Sequence, residues 1–536
     1  MKSISQYKVI TFVALLLTSL YNISFFKNVV SVYPFNGMNI IYISSLSLLL
    51  VLVVVFLLTI CSSKYTTKPL LIVILMISSA TAYFMDTYHV VIDDEMIRNS
   101  LQTNLSESSD LFSFQLLVYL FLLGVLPSYY IYKLDIKYKT FGKEFLEKGK
   151  IIILSLLLIV IILFSFSQFY TSFFREHKSL RFHVNPTYWI YSVGNYIVKT
   201  LNNGPLVVEE IAKDAKIKPV TDNIDKKELM ILVVGEATRA DRFSLNGYEK
   251  ETNPLLKKED IINFSNMYSC GTSTAQSVPC MFSIYDRDNY NYKKGISTQN
   301  VIDVLNNTKD IKILWRDNNS DSKGVALRVE FEDYRTSKTN TICDEECRDE
   351  GMLVGLDEYI KKHKDEDILI VLHQMGNHGP AYYKRYPKEF EVFKPVCKTN
   401  QLEQCTQEEV SNAYDNGILH TDSFLSETIN FLKPYSNTHE TAMIYMSDHG
   451  ESLGEKGLYL HGMPYFMAPN EQKHIASVMW FGEGDIQEDI DVEKLKSYSS
   501  KQFSQDNLFH TLLGFFEVET SVYKEELDIL FDAKKN

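Results

Sequence analysis

The 536-residue chain is long enough for two or three domains. Its net charge of −13 and its lack of a basic tract exclude nucleic acid as a partner. A mean hydropathy of −0.09 averages an apolar first third and an ordinary polar remainder.

Five apolar stretches, near 9–26, 38–60, 69–90, 111–131 and 151–170, reach the length of about 20 residues that a bilayer demands. Leu48–Leu58 and Ile151–Leu163 are almost purely aliphatic, too long for ordinary core helices. The first stretch lacks a small-residue cleavage site and is followed by more spans, so it reads as an uncleaved anchor. Lys2, Lys8, Lys64 and Lys68 mark cytoplasmic loops, as do Lys133, Lys137, Lys139, Lys143, Lys148 and Lys150. The loop with Asp93, Asp94, Glu95 and Glu107, opposed by Arg98 alone, lies on the other side. Everything after about residue 171 is then expected outside.

Residues 172–227 read as a linker. Phe182, Tyr188, Trp189, Tyr191 and Tyr196 suit either a segment on the membrane surface or a packed connector. Lys213–Lys227, with Pro219, completes the tether. Six cysteines follow in the polar part as close pairs, Cys270 with Cys280, Cys343 with Cys347, and Cys397 with Cys405. In an exported domain they read as disulfides, although six cysteines allow about 15 connectivities. Their spacing does not fit zinc ribbons or fingers.

From about 228 to 536 the pattern is α/β. Leu229–Val234, Ile368–Leu372 and Ala442–Met446 read as buried parallel strands, with an amphipathic helix over Glu408–Leu432. Each strand runs into a polar cluster. These are Gly235-Glu236-Ala-Thr238-Arg239-Ala-Asp241, His373-Gln-Met-Gly-Asn377-His378-Gly-Pro, and Ser447-Asp448-His449-Gly450-Glu451. Open α/β sheets place ligand sites at the carboxyl ends of their strands, so clusters distant in sequence can converge.

Glu236, Asp448 and His449 are the residue types of a zinc site whose fourth position is left for a reacting oxygen. The loop Cys270-Gly-Thr-Ser-Thr-Ala-Gln-Ser-Val-Pro-Cys280 can supply that oxygen from Thr272, Ser273 or Thr274. Bound zinc lowers the pKa of water from 15.7 to about 7, and a hydroxyl should feel the same pull. A disulfide across roughly 11 residues contributes about 2–3 kcal/mol in the chain-entropy model. Holding the oxygen in place matters more.

These motifs resemble the lipid A phosphoethanolamine transferases, a family that includes the mobile colistin-resistance enzymes. The match extends over Val234-Gly-Glu-Ala-Thr-Arg-Ala-Asp-Arg-Phe-Ser-Leu-Asn-Gly-Tyr248 and Glu251-Thr-Asn-Pro254, the 270–283 loop, His373–Tyr382 and Ser447–Gly454. The resemblance implies a five-helix transmembrane domain over 1–171. It also implies a periplasmic α/β domain of alkaline phosphatase/sulfatase-like fold with a mostly parallel central sheet. The location implied is a Gram-negative inner membrane, and the expected state is a monomer.

By resemblance Thr274 is the nucleophile and binds one tight Zn2+ together with Glu236, Asp448 and His449. His378 and His461 match residues that contact the substrate phosphate or a second, looser zinc. Lys323 matches a phosphate-binding lysine. Asn99 and Thr103 lie in a segment that contacts the ethanolamine lipid, and Glu107 extends it. The implied reaction is ping-pong. Thr274 takes phosphoethanolamine from phosphatidylethanolamine, and a phosphate of lipid A then removes it. The outer surface becomes less anionic, giving resistance to colistin and other cationic peptides.

Nearby chemistries fit less well. A sulfatase needs Cys-x-Pro-x-Arg, and Cys280 is followed by Met-Phe-Ser-Ile. A lipoteichoic acid synthase would not be expected to carry these cysteine pairs or the 99–103 segment. A structural zinc receptor would close its site with Cys or His ligands. A phosphoglycerol transferase, or a phosphoethanolamine transferase acting on core oligosaccharide, glycan or protein, remains the alternative.

Overall fold

The computed structural model describes residues 3–103, 105–201, 207–218, 226–484 and 486–535. It divides into two compact units, 1–97 with 112–200, and 98–111 with 201–536.

In the first unit, four helices among the described residues are long and apolar enough to cross a membrane. They are Gly37–Cys61, Thr67–Thr87, Phe114–Lys133 and Phe141–Ser165. The first expected span is instead a broken pair, Gln6–Leu20 and Ile23–Val32, meeting at 56°. Asn22 sits at the break. Its Nδ2 donates to the carbonyls of Leu17 and Asn185, competing with the helix's own ladder. The last span begins earlier than its apolar run because Lys143, Glu144, Glu147 and Lys148 are good helix formers. Ile153, Val160 and Phe164 on it are largely exposed, a surface suited to lipid. Helix Thr187–Leu201 packs one face inward, with Trp189 Nε1 donating to Ser78 Oγ, and exposes Ile190, Tyr191, Ile197 and Val198.

The second unit is built on a seven-stranded sheet. In chain order its strands are β1 (Lys227–Gly235), β2 (Ile261–Asn263), β3 (Ile311–Asp317), β4 (Glu330–Asp333), β5 (Asp367–His373), β6 (His439–Ser447) and β7 (Ser477–Phe481). Their spatial order is β2-β7-β6-β1-β5-β3-β4. Strands β6, β1, β5, β3 and β4 pair in parallel, and β7 runs antiparallel to both of its neighbours. The sheet is therefore mixed and mostly parallel. The three strands read from sequence are adjacent, with Gly235 opposite Ser447 and Val234 opposite His373. Their polar ends must meet.

Both faces are covered, so the central strands are apolar throughout. Met230, Leu232, Val234, Leu369, Val371, Ile444 and Met446 belong to one core with Phe282, Phe509 and Leu512. Helix Gln407–Leu432 opens on a capping box between Thr406 and Glu409.

Candidate active site and metal centre

Glu236 follows β1, and Asp448 and His449 follow β6. All three are fully buried. One donor atom from each lies within 4.8 Å of the others, a group able to hold a metal ion. His449 Nε2 is 3.4 Å from both Glu236 Oε1 and Asp448 Oδ2. His449 Nδ1 donates to Gly450 O at 2.8 Å, leaving the Nε2 lone pair aimed into the cluster. Among the described residues, Glu236 Oε1 and Asp448 Oδ2 have no hydrogen-bond partner. Burial, and then the neighbouring Asp448, push the Glu236 carboxyl well above the ordinary carboxylate range. Two buried carboxylates with orphaned oxygens beside an imidazole lone pair fit a divalent cation.

The backbone here is shaped for close approach. A Cβ on Gly235 would lie 2.4 Å from Tyr445 Cε2, so glycine is required where β1 delivers Glu236. Ala237 takes a left-handed φ of 55°, held by its N–H on Asp448 Oδ1.

Thr274 is the first residue of helix α1 (Thr274–Met281). Its Oγ1 donates to Glu236 Oε2 at 3.1 Å and lies 3.4 Å from His449 Nε2. Of the other two hydroxyls, Thr272 Oγ1 is occupied by Met463 O at 2.6 Å. Ser273 is the residue before the helix, and its side chain makes no capping bond. The structure pairs Cys270 with Cys280, Cys343 with Cys347, and Cys397 with Cys405.

His461 stands beside His449 with ring centroids 4.3 Å apart, and His378 beside His461 at 5.8 Å. His461 Nδ1 is 3.2 Å from Glu451 Oε1, and His378 Nδ1 donates to Gly379 O at 2.8 Å. Burial, and then the charge of Arg385, hold the His378 imidazole well below the ordinary histidine range, so it is neutral at pH 7.

Lys323 Nζ donates to Ser320 O, and Lys323 lines a cavity of about 340 Å³ with Gln102, Tyr292 and Arg328. Asn99 and Thr103 bond to each other, Thr103 Oγ1 donating to Asn99 O. The side chain of Glu107 lies outside the described residues. The 98–111 segment belongs to the second unit. There Arg98 donates to Gln276 Oε1 on α1 at 2.7 Å and covers the Tyr292 ring.

Sequence reasoning missed two organisers. Asn319, beyond β3, donates through Nδ2 to Glu236 Oε2 at 2.8 Å and to Gln374 O at 2.7 Å. Gln505 donates to the carbonyls of Ser447 and Asp448 and accepts from Cys270 N and Ser277 Oγ. It fastens the start of the 270–280 loop to the end of β6. The signal for Asn319 is its place just beyond β3, a strand whose apolar run Lys312 and Arg316 interrupt. Nothing local marks Gln505.

Comparison with known proteins agrees in both units. The Sulfatase family matches residues 228–518, and the family described as Phosphoethanolamine transferase EptA/EptB matches residues 50–201. The Escherichia coli protein named Phosphatidylethanolamine transferase Mcr-1 is 41% identical over 535 residues, covering 98% of this chain and 97% of that protein. Phosphoethanolamine transferase EptA of Escherichia coli K12 is 39% identical over 521 residues, covering 96% of this chain and 94% of that protein. The integral membrane lipooligosaccharide phosphoethanolamine transferase A of Neisseria meningitidis superposes with a TM-score of 0.95 at 33% identity, covering 100% of both chains.

Proposed function

This chain belongs to the phosphoethanolamine transferase family, and from that premise we propose that it moves phosphoethanolamine from phosphatidylethanolamine to a phosphate of lipid A. It is an inner-membrane protein of Gram-negative type with a periplasmic catalytic domain. We read the bent pair as one span, giving five, and residues 172–227 as an interfacial tether.

The observation that carries the mechanism is the Thr274 hydroxyl, buried at a helix N-terminus against Glu236 Oε2 and His449 Nε2. Glu236, Asp448 and His449 would hold zinc, which supplies acidification of the bound hydroxyl and charge stabilisation of the phosphoryl group. Thr274 Oγ1 loses its proton and attacks phosphorus. The P–O bond to diacylglycerol breaks, and that oxygen takes up a proton. A phosphoethanolamine ester of Thr274 remains. In the second half a lipid A phosphate oxygen attacks the same phosphorus, and Thr274 Oγ1 leaves and regains its proton.

The N-terminus of α1 favours the transferring anion. His378 and His461 are assigned to the substrate phosphate or to a second, looser zinc; with Nδ1 donating to Gly379 O, His378 presents an Nε2 lone pair that can accept from a protonated phosphoryl oxygen or hold that cation. Lys323 is assigned to the phosphate, and Asn99, Thr103 and Glu107 to the ethanolamine lipid. Added amines lower surface negative charge, so colistin binds less well.

The test is expression in a Gram-negative host with lipid A weighed by mass spectrometry. Wild type should add phosphoethanolamine and raise the inhibitory concentration of colistin, and Thr274→Ala should do neither. An adduct of equal abundance from Thr274→Ala, or none from wild type, overturns the reading.

A further inference from the structure

Arg385 takes no part in the chemistry above, yet it is buried and each of its guanidinium nitrogens reaches a different segment. Nε donates to the carbonyl of His378 at 2.6 Å. Nη2 donates to Asp110 Oδ2 at 2.5 Å, at the end of the 98–111 segment. Nη1 donates to Glu346, inside the loop closed by Cys343 and Cys347. The backbone carbonyl of Arg385 accepts from His420 Nδ1 at 3.1 Å.

We propose that Arg385 is a positioning residue for phosphoethanolamine transfer, fixing His378 in one frame with the 98–111 segment and the 343–347 disulfide loop. The inference rests on reading His378 as a phosphoryl contact.

Three physical points support it. A guanidinium is planar, so its three bonds leave in fixed directions, and the three segments cannot shift independently. The Arg385 and Asp110 side chains are 2% and 4% exposed, so loss of either removes one of the two opposite charges that the other needs while buried. The partners are themselves tied down. Asp110 also accepts from Lys384 Nζ at 2.6 Å, and its carbonyl accepts from Asn400 Nδ2 at 2.7 Å. Arg348 pairs with Asp344 at 2.5 Å and donates to Lys384 O at 2.7 Å, joining the disulfide loop to the same turn a second time.

The consequence is catalytic rather than only structural because of where the frame ends. With its carbonyl on Arg385 and its Nδ1 on Gly379 O, the His378 ring has one orientation. The segment that Asp110 ends also carries Asn99 and Thr103, assigned above to the donor lipid. Grip on the lipid and contact with its phosphate thus share one anchor.

A double-mutant cycle in the full-length protein, with phosphatidylethanolamine as donor, tests this. Arg385→Lys and Asp110→Asn are made alone and with His378→Ala, and kcat, zinc content and the unfolding midpoint are measured. Lysine keeps the charge but cannot make three directed bonds. Each single variant should lower kcat about 10-fold to 100-fold, the scale of a displacement of about 1 Å. Zinc content should not change, since Arg385 bonds to none of the three proposed ligands. In the His378→Ala background either change should add no more than about twofold, because coupled residues are not additive. Equal losses with and without His378, or wild-type kcat in Arg385→Lys, overturn the inference and leave the transferase reading intact. If Arg385→Lys does not fold, the Asp110→Asn pair decides by the same criteria. Full activity in His378→Ala overturns the assignment of His378, and the inference with it.

Discussion

His449 can offer Nε2 to a metal because its other nitrogen is committed to Gly450 O. Glu236 depends in the same way on Asn319, whose amide hydrogens lie on Glu236 Oε2 and Gln374 O. Removing that amide frees the carboxylate to rotate away from the cluster. Asn319→Ala should therefore weaken zinc binding about 10-fold to 100-fold, as outer-shell substitutions do, with Thr274 intact. Competition against a zinc chelator measures it, and unchanged affinity would count against Asn319 as an orienter. The proposed ligand residues were legible in sequence because each follows directly on an apolar strand. Asn319 and Gln505 were not. Their roles depend on which strand lies next to which, and Gln505 reaches Cys270 across 235 positions.

Three central strands, β1, β5 and β6, were legible because their apolar runs are unbroken. Strand β3 was missed because Lys312 and Arg316 interrupt it. In the fold Arg316 is buried, donating to Glu332 and to the carbonyls of Met352 and Val354. The bend in the first apolar stretch was missed because hydropathy averages over a single Asn22. The join between β1 and the site is tightly packed, since Gly235 faces the Tyr445 ring. Gly235→Ala should destabilise the catalytic unit by about 1–3 kcal/mol, the usual cost of overpacking, and reduce transfer by displacing Glu236. Gly149 gives the contrast. It lies within a helix and has nothing within 4 Å of a built Cβ, so Gly149→Ala should not lower the midpoint. Denaturation curves of the two variants compare them, and equal midpoints would show that the strand end can relax.

At the scale of the molecule, the buried pair Glu236 and Asp448 links metal, proton and stability. Without a cation, burial and Asp448 raise the folded-state pKa of Glu236 above its unfolded value. A carboxyl raised in this way binds its proton more tightly in the folded protein. Its favourable contribution is full below the unfolded pKa of about 4.3 and is lost as pH climbs through the raised folded value. The metal-free protein should therefore lose stability as pH rises above the unfolded value and through the raised folded one. A bound zinc ion removes that dependence by taking the place of the proton, and adds about 4 kcal/mol when free zinc is 1,000 times its dissociation constant. The gap between the midpoints of zinc-loaded and chelated protein should widen as pH rises above the unfolded carboxyl value. Calorimetry of the full chain in detergent, with and without chelator at three pH values, reads it directly. Parallel curves would mean that the two carboxylates do not share a cation.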